Sequence, residues 1–336
     1  MTEQEDSKSR ADPAATLQQL LGGFQSTQAL HVAAKLGIFD RVHPEPKTAA
    51  ELSRDVGAHE PSLRRLLSAL VSDQVLKQDG TKFGLTPTGD LLRASHPQSQ
   101  QPWALLLGSP LIWRPWGDLY ESVMTGRPAF ELQSGQSFFE HLADAPEDAA
   151  VFNAAMTSDS SRVDAILRSY DFQPYGRIVD VGGGQGELLA SILARNPEST
   201  GVLFDLPFVV AQAEARSEPA LRRRCAFVAG SMFDSVPADG DLYILKRIIH
   251  DWADEEAIQL LQCCRNAMTA RAKLILMEHI VGPSNAAATP DLMMLVLVSG
   301  HERTEQQFSV LLAAAGLRLE RVIRAGTTFI IEAAPV

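Results

Sequence analysis

The stretch Asp180-Val181-Gly182-Gly183-Gly184-Gln185-Gly186 constrains the fold of this chain more than any other. It lies between an apolar run, Ile178 to Val181, and a helical one that begins Glu187-Leu188-Leu189. Glycines at a strand-to-helix turn let the backbone approach a ligand closely and expose amide groups at a helix N-terminus. Strand-like runs recur at 178–182, 202–206, 226–230, 241–249 and 273–281, with helical stretches between them. That alternation predicts a mostly parallel α/β sheet. After Gly316 two strand-like runs flank Ala325-Gly326 with no helix between them. The sheet is therefore expected to end in a hairpin that adds one antiparallel strand.

The same loop narrows the ligand. A dinucleotide fingerprint requires Gly-x-Gly-x-x-Gly. Counted from Gly182, the sixth position is Glu187, so the pattern fails and a dehydrogenase is disfavoured. Asp205 ends the next strand, 23 positions after Gly182. A carboxylate there can accept both hydroxyls of a ribose. Glu187 at the mouth of the helix would repel a diphosphate. A ligand with an adenosine, a cationic centre and no phosphate fits better, and S-adenosylmethionine is such a ligand. The expected fold is a class I methyltransferase-type, Rossmann-like domain.

The N-terminal third reads differently. Leu17, Leu20, Leu21, Phe24, Ala29 and Leu30 fall at three- and four-residue steps. Thr48 followed by Glu51 is a capping-box signature, and Gly57 fits the stop of that helix. Pro61 opens an amphipathic helix, and two short strands around Asp79-Gly80 read as a hairpin. Helix, turn, helix and hairpin make a winged helix, which raises the question of DNA. From Thr48 to Ser95 there are six Lys or Arg and six Asp or Glu. A DNA reader needs a basic surplus, and the chain as a whole carries a net charge of −11. A winged helix reused for packing or dimer contacts is expected instead, with no nucleic acid or membrane partner; a transcription factor sensing the cofactor is the disfavoured alternative.

At 336 residues the chain suits more than one domain. The expected division is 1–100 for a dimerisation domain, 101–165 for a helical region around the substrate, and 166–336 for the cofactor-binding catalytic domain. The middle region holds Trp103, Trp113, Trp116, Tyr120, Phe138, Phe139, Phe152 and Met156. Most are expected in the core, and some as walls for a flat aromatic substrate. Cys225, Cys263 and Cys264 suit neither a disulfide framework nor a zinc site. The polar start, Met1 to Pro13, lacks the pattern of a signal peptide. The longest apolar run, Leu292 to Val298, is too short to span a bilayer. A cytoplasmic protein is expected.

The strings VDVGGGQGELL, FDLP, GSMFDSVP, LKRIIHDWADEEA, LILMEHIV and GHERTEQQF occur in that order. In them the chain resembles the caffeic acid and acetylserotonin type of small-molecule O-methyltransferases, including bacterial members that tailor polyketides and phenazines. The resemblance runs from near Leu17 to Pro335. It implies a homodimer, S-adenosylmethionine as cofactor and an aromatic acceptor. It places Gly182 and Gly184 at the cofactor loop, Asp205 and the adjoining Leu206 at the ribose, Ser231, Met232 and Phe233 around the adenine, and Lys246 in the cofactor site. It makes His250 the general base, flanked by Glu278 and Glu302, with Met156, Asp251 and Met294 toward the acceptor. Plant members usually carry Asp where this chain has Ser231, which brings no charge.

The residues themselves support that chemistry. A phenol becomes a good nucleophile only when its proton leaves, and a neutral imidazole can take it near pH 7. His250 follows the fourth strand and Glu278 ends the fifth, so neighbouring strands deliver both to one crevice. A carboxylate on one ring nitrogen fixes the tautomer and leaves the other nitrogen free. On the residues alone, His250 also reads as a packing group that closes a strand-to-helix turn. Strand alternation turns His279 away from Glu278. The same fold also serves non-methylating reactions such as hydroxylation, decarboxylation or ring formation, the alternative that the intact His-Glu-Glu set disfavours.

Overall fold

The computed structural model describes residues 12–158, 160–282 and 288–336, with residues 160–162 described by their backbone only. The polar start up to Ala11 lies outside them. Two compact units result, 1–113 and 114–336. The helical region expected at 101–165 thus falls on both sides of that division.

The first unit opens with a helix at Pro13–Lys35, followed by a short one at Ile38–Arg41. Strand β1 (Lys47–Thr48) leads into a helix at Ala49–Val56. Its capping box forms as the sequence requires: the Thr48 side chain accepts from the Glu51 amide, and Glu51 accepts from the Thr48 amide at 2.7 Å. Gly57 closes the helix at φ 68°, a left-handed conformation natural to glycine. The next helix, Glu60–Ser72, buries Leu63, Leu67 and Leu70. Strands β2 (Leu76–Asp79) and β3 (Lys82–Leu85) then pair antiparallel, with β1 on the other edge of β3. This is the winged helix, and Ala33, Phe39, Leu52, Leu67, Leu70 and Phe83 form its core.

The second unit is built on a seven-stranded sheet of order β6-β5-β4-β7-β8-β10-β9. Its strands are β4 (Arg177–Val181), β5 (Thr200–Asp205), β6 (Cys225–Ala229), β7 (Leu242–Lys246), β8 (Lys273–Glu278), β9 (Leu317–Ala325) and β10 (Thr328–Pro335). The first five run parallel, and β10 lies antiparallel between β8 and β9. Helices cover both faces, so the central strands are almost wholly buried: Leu242 to Leu245 and Leu274 to Met277 have no exposure. The strand order reverses beside β4, between β5 and β7, which opens the ligand crevice at their carboxyl ends. Among the described residues no helix is long and apolar enough to cross a membrane.

The aromatic-rich helices pack less completely than expected. Of the eight bulky residues named above, only Phe138 is fully buried, while Tyr120 is 70 % exposed. Phe138, Phe139 and Phe152 nevertheless meet edge to face in one cluster, with centroids 5.7, 5.4 and 6.4 Å apart.

Candidate active site

Strand β4 runs directly into the glycine turn. Gly182, Gly184 and Gly186 all have positive φ, at 68°, 57° and 80°. At Gly182 the need is also steric: a Cβ there would lie 2.5 Å from Cδ1 of Ile248. A Cβ on Gly184 would meet nothing within 4 Å, so that face of the loop is open. Gly186 caps the helix Glu187–Arg195.

Asp205 ends β5 facing this loop. Its Oδ2 accepts the Gly184 amide at 2.8 Å, and its Oδ1 accepts the Leu206 amide at 2.7 Å. The carboxylate is fixed in direction while each oxygen keeps a further lone pair for a ligand. Burial raises its pKa, and the two amides work against that rise. Leu206, partly exposed, caps the following helix. Beyond β6, Ser231 Oγ accepts from the Phe233 amide at 3.3 Å, so the serine closes its own turn. Met232 and Phe233 pack against the sheet core. Lys246 ends β7. Its charge opposes the effect of burial on Asp180, whose pKa is pushed up to about 7.

His250 lies on a single 3-10 turn, Ile249–Asp251, just beyond β7, and is 4 % exposed. Glu278, at the end of β8, is fully buried, and Glu302 is 3 % exposed. One ligand-capable atom from each of the three lies within 4.8 Å of the others. The carboxylate that meets the ring is that of Glu302, not Glu278: His250 Nδ1 is 3.0 Å from Glu302 Oε1. Glu278 Oε1 instead accepts the amides of Ile248 and Ile249 at 3.0 and 2.8 Å, and so holds the turn that carries His250. Oε2 of each acid is buried and makes no hydrogen bond among the described residues. Asp251 Oδ1 is 3.4 Å from the second ring nitrogen of His250.

The charges of this cluster are strongly coupled. Burial alone would lower the His250 pKa; the carboxylates of Asp251 and Glu278 and the Glu302 bond outweigh it and hold it above the ordinary value. Burial pushes Asp251 up to about 6, against the pull of His250. Burial would also raise Glu302, but hydrogen bonds from His250 and His279 and the Arg247 charge keep it well below the usual carboxylate range. A histidine and two carboxylates form a donor set for a divalent cation. The Arg247 guanidinium, 3.5 Å from Glu302, already supplies positive charge there.

Several groups here were not expected. His279 Nδ1 lies 3.3 Å from Glu302 Oε1 and 2.7 Å from the Arg247 guanidinium. Both contacts are to groups other than Glu278, the acid from which strand alternation turns this ring. Trp252 stacks on Phe139 with centroids 5.6 Å apart and planes 24° apart, and meets the edge of Phe233 at 4.6 Å. Its Nε1 is buried without a partner among the described residues. Gln185, in the glycine loop, likewise has both side-chain polar atoms buried and unpaired there. Met294 is buried on the helix Ala288–Leu297, and Met156 is 37 % exposed on Pro146–Thr157.

A glycine loop after the first parallel strand, an acid at the end of the second, a terminal antiparallel hairpin and a buried His-acid pair define the class: a class I methyltransferase domain. The family model for the O-methyltransferase domain matches residues 116–318, and that for the O-methyltransferase dimerisation domain matches residues 18–95. The chain belongs to this O-methyltransferase family, and it is an S-adenosylmethionine-dependent methyltransferase. It is 41% identical over 340 residues to the phenazine O-methyltransferase PhzM of Lysobacter antibioticus, covering 99% of each chain. It is 37% identical over 306 residues to the 8-amino-8-demethylriboflavin N,N-dimethyltransferase of Streptomyces davaonensis, covering 88% of each. Among solved structures, the O-methyltransferase of neocarzinostatin biosynthesis, bound to S-adenosyl-L-homocysteine and 1,4-dihydroxy-2-naphthoic acid, superposes with a TM-score of 0.84. It is 31% identical and the match covers 98% of this chain and all of that one.

Proposed function

We propose that this chain methylates a hydroxyl group on an aromatic natural product, with His250 as general base. The observation that carries this reading is the 3.0 Å bond between His250 Nδ1 and Glu302. It fixes the tautomer with the proton on Nδ1, so Nε2 is left to take the acceptor's proton. Uptake of that proton creates an imidazolium between Glu302 and Asp251, whose negative charges stabilise it. Glu278 keeps the turn in place through two backbone amides.

The cofactor-site residues fit the group they are expected to hold. The open face at Gly184 would admit it, and the Asp205 oxygens, each with a lone pair left over, would accept the ribose hydroxyls. Ser231, Met232 and Phe233 would hold the adenine. Gly182 and Lys246 stand on the adjoining strand ends. When bound, S-adenosylmethionine supplies a methyl group on a sulfonium. The chain's own part is to orient the two reactants and remove the acceptor's proton. The stacked Trp252 and Phe139 lie against Phe233, so this apolar wall adjoins the proposed adenine end. Met156, Asp251 and Met294 complete the proposed acceptor side.

Incubation with methyl-labelled S-adenosylmethionine and a panel containing a hydroxyphenazine, 1,4-dihydroxy-2-naphthoic acid and an aminoflavin tests this. Label is expected on a ring hydroxyl, with no requirement for oxygen. Label found only on amino nitrogen, or conversion of an acceptor without label transfer, would overturn it.

The proposed assembly is a homodimer. Leu17, Leu20, Leu21 and Phe24, all on Pro13–Lys35, are each more than half exposed. Such a strip is costly in water and marks an interface. Light scattering at micromolar concentration should give twice the 36.5 kDa chain mass, and a stable single-chain mass would refute it.

A further inference from the structure

We propose that Arg303 is a positioning residue for the reaction: its guanidinium staples the turn that carries His250, so that the base and its partner Glu302 are held by one segment. This rests on His250 acting as the base. The geometry is specific. Arg303 is among the largest fully buried side chains, at 1 % exposure. Its Nη1 donates to the carbonyl of Ile249 at 2.9 Å and, more weakly, to that of His301 at 3.4 Å. Its Nη2 donates to the carbonyl of Trp252 at 2.8 Å. Nε and Nη2 both reach Asp254 Oδ1, at 3.0 and 2.7 Å. Ile249 and Trp252 bracket His250 and Asp251, so one planar fork ties down both ends of the catalytic turn.

The backbone around Arg303 extends the same device. Gly300 packs so tightly on this turn that a Cβ there would lie 2.1 Å from the His250 carbonyl oxygen and 2.4 Å from Trp252 N. Glu302, next to Arg303, holds Nδ1 of the ring. The Arg303 carbonyl accepts the Val281 amide at 3.0 Å, and Arg303 bridges Ile280 just beyond Glu278. Residues 300–303 therefore fix His250 through its backbone and its ring, and link it to the strand that supplies Glu278.

Burying a guanidinium is expensive, and an apolar side chain of similar size often stabilises a protein more. Asp254, the one carboxylate it meets among the described residues, is 62 % exposed at its side chain, so the ion pair does not explain the burial. What only Arg supplies is a rigid set of donors that spans two carbonyls and a carboxylate at once. A Lys ammonium is a point donor and cannot bridge all three.

The test is Arg303→Lys in the full-length protein, with Arg303→Met as a second variant. The measurements are kcat and KM for the best phenolic acceptor of the panel above, S-adenosylhomocysteine affinity by calorimetry, and the pH titration of the His250 ring by NMR of labelled histidine. A misplacement near 1 Å can cost up to about 100-fold in rate. For Arg303→Lys, kcat is expected to fall roughly 10- to 100-fold while cofactor affinity stays within about twofold, because the Asp205 carboxylate is held by the amides of Gly184 and Leu206 and not by this turn. The titration midpoint of His250 should move down as its carboxylate contacts loosen. Arg303→Met, if folded, should show the larger shift. A Lys variant with unchanged kcat and an unchanged His250 titration would overturn the proposal. So would parallel losses of kcat, cofactor affinity and melting temperature, which are the mark of a purely structural residue. The NMR titration needs no acceptor, so failure of the proposed function leaves this test intact.

Discussion

Replacing Asp205 with Ala is expected to weaken S-adenosylmethionine binding by roughly 10- to 150-fold. A hydrogen bond to a charged group contributes about 1.5–3 kcal/mol, and that range converts to this fold-change in affinity. The carboxylate is pre-aimed, since the amides of Gly184 and Leu206 each hold one of its oxygens, and little ordering is left to binding. Asp205→Asn separates charge from geometry: it keeps one acceptor and should lose less. A pH dependence follows from burial, which raises the Asp205 pKa. The charged form binds, and it is lost as pH falls through that raised value. Affinity should therefore weaken on acidification earlier than for an ordinary carboxylate. Calorimetry on the wild type and both variants across mildly acidic pH decides it. Unchanged affinity in a folded Asp205→Ala protein would place the ribose elsewhere.

How much of this was legible in the sequence depends on how local each feature is. Strands β4, β5, β7 and β8 read as strands because both faces of a parallel sheet are buried, which leaves continuous apolar runs such as Leu274 to Met277. The capping box at Thr48 and Glu51 is set by contacts within a few residues, so the sequence carries it directly. The pairing of His250 with Glu302 is different. It joins positions 52 apart, across the helix Asp254–Ala267 and strand β8, and nothing local says which of two acids meets the ring. The contacts of His279 with Arg247 and Glu302 are non-local in the same way, 32 and 23 positions apart. Arg303 runs against the expectation that arginine is exposed. Only the close approach at Gly300, which brings residues 300–303 onto the turn at 249–252, shows why a buried cation sits there.

His250→Ala should leave the fold and cofactor affinity in place and cost about 10²- to 10⁴-fold in methyl transfer near neutral pH, the usual range for a general base. The wild-type profile carries a further signature. An ordinary histidine titrates near 6.5. Here the carboxylates of Asp251 and Glu278 and the Glu302 bond overcome burial and raise the His250 pKa. The neutral form, which accepts the proton, is therefore fully present only above that raised value. In wild type, kcat/KM should climb with pH through an inflection above 6.5 and then level off. In His250→Ala that inflection should vanish, and the deficit should shrink as pH nears the acceptor's own pKa, because an acceptor already ionised in solution needs no base. Glu302→Gln sharpens the assignment. The amide keeps an acceptor for Nδ1 but brings no negative charge, so the imidazolium loses its counter-charge and the His250 pKa falls. Its inflection should shift to lower pH, with a lower plateau because a weaker base removes the proton less readily. Glu278→Gln, which still accepts the amides of Ile248 and Ile249 through its side-chain oxygen, should cost less than Glu302→Gln. Stopped-time assays with one phenolic acceptor from pH 5 to 10 separate these cases. A His250→Ala protein that loses the same factor at every pH would make the histidine an orienting group. One that keeps full activity at pH 7 would move proton removal to another member of the cluster, with Glu302 the next candidate.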